Sequence, residues 1–146
     1  DASAKDKVGI SLNDTLLTGP KLQAEITDIL WRFRLHNIVF TTDIRQMYRR
    51  IIVTDKHRDY QRILFRSNPD EPVQEYRLNR VTFGVSSAPF LAIRTIQQLA
   101  QDEEESFPVA AQILRQDLYV DDVVTGCSTV EQALERQQQL IGIMGS

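Results

Sequence analysis

Apolar positions along the chain repeat with two different periods, and the switches between them mark out its elements. After Gly19 and Pro20, a pair that suits a helix entry, Leu22, Ile26, Ile29, Leu30 and Phe33 recur at helical spacing. The short run NIVFTTD, 37–43, reads as a buried strand, and IRQMYRR after it as a short helical or irregular segment. IIVTD and QRILFR predict strands on either side of the charged KHRD. The turn formers of SNPDEP, 67–72, predict a hairpin between 61–66 and 73–83. Ser86 or Ser87 and Pro89 mark the start of a helix with Ala92, Ile93, Ile96, Leu99 and Ala100 on its apolar face. After a solvated break at 103–106, Pro108 opens a short helix through Leu114. Ser128 and Glu131 form a capping-box pattern ahead of a final helix, with Val130, Ala133, Leu134, Leu140 and Ile141 as its core stripe. Mixed helices and strands with adjacent hairpins define the α+β class. The expected architecture is an antiparallel sheet covered by helices, not a doubly wound parallel one.

Composition narrows the picture mainly by exclusion. The 146 residues, 42% hydrophobic and 25% charged, suit one globular domain or part of a larger one. No apolar run is long enough to span a bilayer and no signal peptide opens the chain, and no membrane partner is expected. Cys127 is the only cysteine, which excludes a disulfide framework and a thiolate zinc site and makes a reducing, intracellular setting the expected one. His36 and His57 lack metal-ligand spacing and are expected at the surface. No Gly-x-Ser-x-Gly elbow exists, and an acyl hydrolase or protease finds no support. The net charge of −3 hides a local bias: Arg45, Arg49, Arg50, Lys56, Arg58, Arg62, Arg66, Arg77 and Arg80 fall in the central third. Such a stretch serves equally as a solvated face or as one that meets phosphates.

The chemically unusual feature is LYVDDVVTG, 118–126, where Asp121 and Asp122 interrupt an apolar run. A tight hairpin with the two acids at its tip accommodates them, and a plain surface turn is one reading. Two facts favour another. Asp-Asp is not the preferred two-residue hairpin turn, and neighbouring carboxylates repel. A divalent cation removes both objections, since Mg²⁺ takes carboxylate oxygens and leaves positions open for substrate phosphates. Two such ions about 4 Å apart can activate an attacking oxygen and stabilise a leaving one. A third carboxylate is available in FTTDIRQMYRRI: Asp43, at the end of a strand, suits a helix cap with Gln46, a role that need not exclude metal ligation since each uses one carboxylate oxygen.

Three motifs, in order, carry a family likeness: Asp43 followed five residues on by Tyr48 in TDIRQMY, FGVSSAP at 83–89, and YVDD at 119–122. In this set, and in the opening segment DASAKDKVGISLNDTLLTGPKL, the chain resembles the reverse transcriptases of retroelements, most closely those of BEL/Pao long-terminal-repeat retrotransposons. The resemblance covers essentially the whole chain. It implies a right-hand polymerase fold, with palm at about 19–50 and 88–146, an antiparallel sheet with helices packed on one face, and fingers at about 1–18 and 51–87. It implies RNA- or DNA-templated DNA synthesis with two Mg²⁺ ions, for which Mn²⁺ is a possible substitute.

The same resemblance assigns roles by position. Asp43 and Asp121 hold both ions, Asp122 completes the acidic cluster, and the Ile44 carbonyl is a further ligand. Tyr48 lies under the incoming sugar and rejects a 2′-hydroxyl, Phe83 packs near that sugar, Gly84 admits the template, and Tyr119 approaches the primer end. Thr82 stands where many relatives have proline. The implied partners are a primed RNA or DNA template, deoxynucleoside triphosphates, and the remaining polymerase and RNase H domains of a polyprotein, in the cytoplasm or in virus-like particles. The resemblance places the triphosphate grip before Asp1 and the thumb after Ser146, so the expected activity of these 146 residues alone is poor or nil. The alternative is a non-catalytic nucleic-acid-binding or interaction module derived from such an enzyme.

Overall fold

The computed structural model describes residues 1–146, and twelve elements follow one another along them: α1 (Leu12–Thr15), α2 (Ile26–Phe33), β1 (Ile38–Asp43), α3 (Met47–Arg50), α4 (Asp55–Arg58), β2 (Arg62–Phe65), β3 (Gln74–Arg77), α5 (Ala88–Asp102), α6 (Pro108–Gln116), β4 (Leu118–Tyr119), β5 (Asp122–Cys127) and α7 (Val130–Ile143). Both sheets are antiparallel, one of three strands in the order β1-β5-β4 and one of two, β2-β3. The class is α+β. No helix is long and apolar enough to cross a membrane. The chain divides into two compact units, 1–20 with 46–92 and 21–45 with 93–146.

In the second unit α2, α6 and α7 pack against the three-stranded sheet. Its core is Ile29 from α2, Ile96 and Ala100 from α5, Ala110, Ala111, Ile113 and Leu114 from α6, Leu118, Val123 and Cys127 from the sheet, and Leu140 and Ile143 from α7, all buried. Pro108 opens α6 at a position where its missing N–H costs nothing. The Gln139 carboxamide oxygen on α7 accepts the next two free N–H groups of α6, Val109 at 3.0 Å and Ala110 at 3.3 Å.

Several sequence expectations are corrected here. α2 begins at Ile26, not after Pro20. Gly19 instead takes φ +76°, and a Cβ there would fall 2.5 Å from the Phe90 ring, so the Gly-Pro pair is irregular chain packed close against Phe90. β1 is an edge strand, mostly exposed rather than buried. Thr129, not Ser128, caps α7, its hydroxyl accepting the Gln132 N–H. Val130, Leu134 and Ile141 lie more than half exposed, so the α7 core stripe is carried by Leu140 and Ile143. His36 is half-buried, whereas His57 is exposed.

In the first unit, Ser11 and Asp14 exchange both arms of a capping box around α1. Hydrogen bonds from the Ser11 backbone and side chain hold the Asp14 carboxyl below the usual range. β2 and β3 form the expected hairpin, in register Arg62↔Arg77 through Phe65↔Gln74. IIVTD is no strand: it contributes one isolated bridge, Ile52 with Arg80. Met47, Tyr48, Val81, Ala88 and Ala92 form the buried apolar centre of this unit.

Candidate functional site

β4 and β5 form a hairpin whose two central residues are Val120 and Asp121, one position earlier than the expected Asp121–Asp122 tip. Asp122 is therefore a strand residue, paired with Tyr119 on one side and with Asp43 on the other. Of the two central residues only Val120 has positive φ, +58°. That is the pattern of a type II′ turn, whose first position normally takes glycine. A β-branched residue there costs about 1–3 kcal/mol, strain of the kind that gathers at functional sites.

Alternation along the strands sorts this region into two faces. Leu118, Val123, Thr125 and Cys127 point one way and are buried. Tyr119, Asp122 and Asp43 point the other way, onto a face where β1 also leaves Val39 and Thr41 exposed. Asp43 lies directly opposite Asp122. Directly opposed residues bring their Cβ atoms to about 4.5–5.5 Å, and like charges so placed repel. Asp121 is half-buried beside them, and its carbonyl accepts the N–H of buried Ile44 at 2.7 Å, fastening the end of β1 to the hairpin tip. Asp43 does not cap a helix: the N-cap of α3 is Gln46, which is left-handed at φ +58° and makes no side-chain cap bond.

The donor set suits a hard divalent cation: carboxylate oxygens on an open face, two of them in a like-charge pair that a cation would relieve. The side chains themselves are not drawn into a cage, since no three His, Cys, Asp or Glu side chains form a group able to hold an ion. The strand register thus brings Asp43 and Asp122 together at the backbone, with Asp121 adjacent, and leaves the three carboxylates unconverged. Near the hairpin, Lys21 has its pKa raised by hydrogen bonding to Glu25 and by that residue's charge, with a smaller contribution from Tyr119.

In the first unit Tyr48 is buried and Phe83 largely exposed, and their rings pack at 4.6 Å between centroids, tilted by 50°. Gly84 has φ +85° and open space where a Cβ would stand, so its backbone is approachable from solvent.

Three residues that periodicity did not single out hold these motifs. Gln23 reaches across 95 positions to donate from Nε2 to the Leu118 carbonyl at 3.0 Å, while its Oε1 accepts the Val120 N–H at 2.8 Å. Asn13 makes the same two-point contact in the first unit: Nδ2 donates to the Gly84 carbonyl at 2.9 Å and Oδ1 accepts the Ser86 N–H at 2.9 Å. Asp117 anchors the base of the hairpin, accepting from Arg32 Nε at 3.2 Å and from the Thr125 hydroxyl at 2.8 Å. Its carbonyl takes the Val124 N–H at 2.8 Å. None of the three carries a sequence signal: Asp117 simply follows the polar Arg115 and Gln116, and Gln23 and Asn13 are ordinary polar positions.

No protein-family model matches the chain, and no curated protein matches it.

Proposed function

We propose that this chain is the finger–palm part of a reverse transcriptase similar to those of BEL/Pao retrotransposons, and that its parent activity is template-directed DNA synthesis. The observation that carries the reading is the cross-strand pairing of Asp43 with Asp122, beside Asp121, on an open sheet face. Asp43 and Asp121 are the residues to hold two Mg²⁺ ions, or Mn²⁺ in their place, with Asp122 and the Ile44 carbonyl completing the set. Bound there, such ions supply activation of the attacking oxygen and charge stabilisation of the leaving one. A primer 3′-hydroxyl attacks the α-phosphate of a deoxynucleoside triphosphate in line, and pyrophosphate leaves. Tyr119 positions the primer end. Tyr48, fixed by burial and by its packing against Phe83, offers a ring that excludes a 2′-hydroxyl. Gly84 lets the template approach the backbone.

Charge distribution supports a nucleic-acid partner. The first unit carries ten Lys and Arg against eight Asp and Glu, the second seven against twelve. Within the basic stretch, Arg58, Arg62 and Arg77 are neutralised by Asp55, Asp59 and Glu75. Arg49, Arg50 and Arg80 form no ion pair with any acid and are exposed, and the Arg80 guanidinium donates to the Arg50 carbonyl at 3.0 Å. Unpaired guanidinium groups on one patch suit phosphates.

Mn²⁺ titration followed by electron paramagnetic resonance tests the reading. The expected result is weak binding that disappears in Asp121→Asn; binding indifferent to that change contradicts it. The unconverged carboxylates favour a second reading, a non-catalytic nucleic-acid-binding module. Metal-independent RNA binding by a chain that takes up no Mn²⁺ would select that alternative.

A further inference from the structure

The two turns that carry the chain's unusual chemistry are each bracketed in the same way. A carboxamide side chain, distant in sequence, spans the carbonyl of one residue and the N–H of the residue two places on: Gln23 across Leu118 and Val120, Asn13 across Gly84 and Ser86. A carboxamide is suited to this, since it carries a donor and an acceptor on the same carbon and stays uncharged at neutral pH. Each bracket also has a residue with positive φ at one end, Val120 at +58° and Gly84 at +85°.

β4 is an edge strand, with β5 on one side only. Gln23 offers the outward-facing groups of β4 what a further strand would offer, at the two atoms where the turn begins. Without it, the N–H of Val120 and the C=O of Leu118 would turn to water, and a β-branched residue would have no reason to stay left-handed. The next residue along, Asp121, is held by its carbonyl to Ile44, and Asp122 after it faces Asp43. The setting of the turn therefore sets where both acids point.

We infer that Gln23 is a positioning residue for the acidic site, and that Asn13 does the same for the turn at 84–86. The part concerning metal rests on the proposed function; the part concerning backbone order does not.

The test uses the 146-residue chain with Gln23→Leu and Gln23→Glu. Glutamate keeps an acceptor for the Val120 N–H and loses the donor to Leu118. Amide hydrogen exchange by NMR reads the turn, and Mn²⁺ binding reads the acids. Expected are a protected Val120 N–H in the wild type and in Gln23→Glu, and exchange at least tenfold faster in Gln23→Leu. Mn²⁺ affinity is expected to fall tenfold or more in Gln23→Leu. Asn13→Leu should expose the Ser86 N–H and leave Mn²⁺ binding unchanged. Unaltered Val120 exchange in Gln23→Leu overturns the inference. A chain that melts at a lower temperature yet binds Mn²⁺ as tightly as before shows a merely structural residue, and also overturns it. Should the wild type bind no Mn²⁺, the metal reading fails, while protection of Val120 lost in Gln23→Leu still upholds the bracket. If Gln23→Leu does not fold, Gln23→Glu decides: a Val120 N–H that exchanges freely there counts against the bracket.

Discussion

Asp122 stands directly opposite Asp43, and neither has a basic partner among the ion pairs of the structure. A fold selected for stability alone would place a lysine or threonine at one of these positions. Opposite-charge cross-strand pairs contribute roughly 0.2–1 kcal/mol and like charges oppose folding by a similar amount. Asp122→Asn is therefore expected to stabilise the metal-free chain by up to about 1 kcal/mol, a gain of roughly 2–4 °C in melting temperature at low salt. The gain should shrink as salt screens the exposed pair. Calorimetry at two ionic strengths checks both statements; a loss of stability would mean that Asp122 has a favourable role in the free chain.

Hydrophobic pattern was sufficient for the longer elements. α5 and α6 follow their apolar faces, and the β2–β3 hairpin lies where SNPDEP predicts a turn. It failed where the deciding contact is remote. The segment at 20–25 has helical spacing but remains non-helical: Gly19 before it is left-handed and packed against Phe90, and Gln23 is committed to the hairpin. The hairpin tip lies one residue earlier than the sequence predicts because Val120 is a poor choice for a left-handed position, one that the bracket from Gln23 supports. YVDD could be read as an acidic turn and Asp43 as its companion, while the residue-for-residue register between them and the anchor from Gln23 could not, since both depend on pairing across about 75 or more residues. At this scale Asp117 makes the sharpest prediction. Its side chain is 13% exposed and joins α2, the start of β4 and β5. Asp117→Ala leaves the buried Thr125 hydroxyl without an acceptor and should cost about 1–3 kcal/mol, measured by urea denaturation. A change below about 0.5 kcal/mol would show that the hairpin needs no such anchor.

Across the whole molecule, charge is divided unevenly: the first unit is slightly basic and the second acidic, and the overall −3 conceals both. An acidic unit repels a polynucleotide unless cations intervene, whereas unpaired arginines attract one. Replacing Arg49, Arg50 and Arg80 together by glutamine should weaken single-stranded DNA binding uniformly across sequences. The slope of log affinity against log salt should fall by about 2, some 0.7 for each lost phosphate contact. Fluorescence anisotropy over a salt series reads this directly, and an unchanged slope would assign these arginines to solvent. The account as a whole depends on divalent ions joining what the backbone has already brought near. Anomalous diffraction from crystals of the chain soaked in Mn²⁺ locates them: the account predicts a peak within coordination distance of both Asp43 and Asp121, with Asp122 beside it. Crystals that take up Mn²⁺ elsewhere, or a site that stays empty at saturating Mn²⁺, would contradict it.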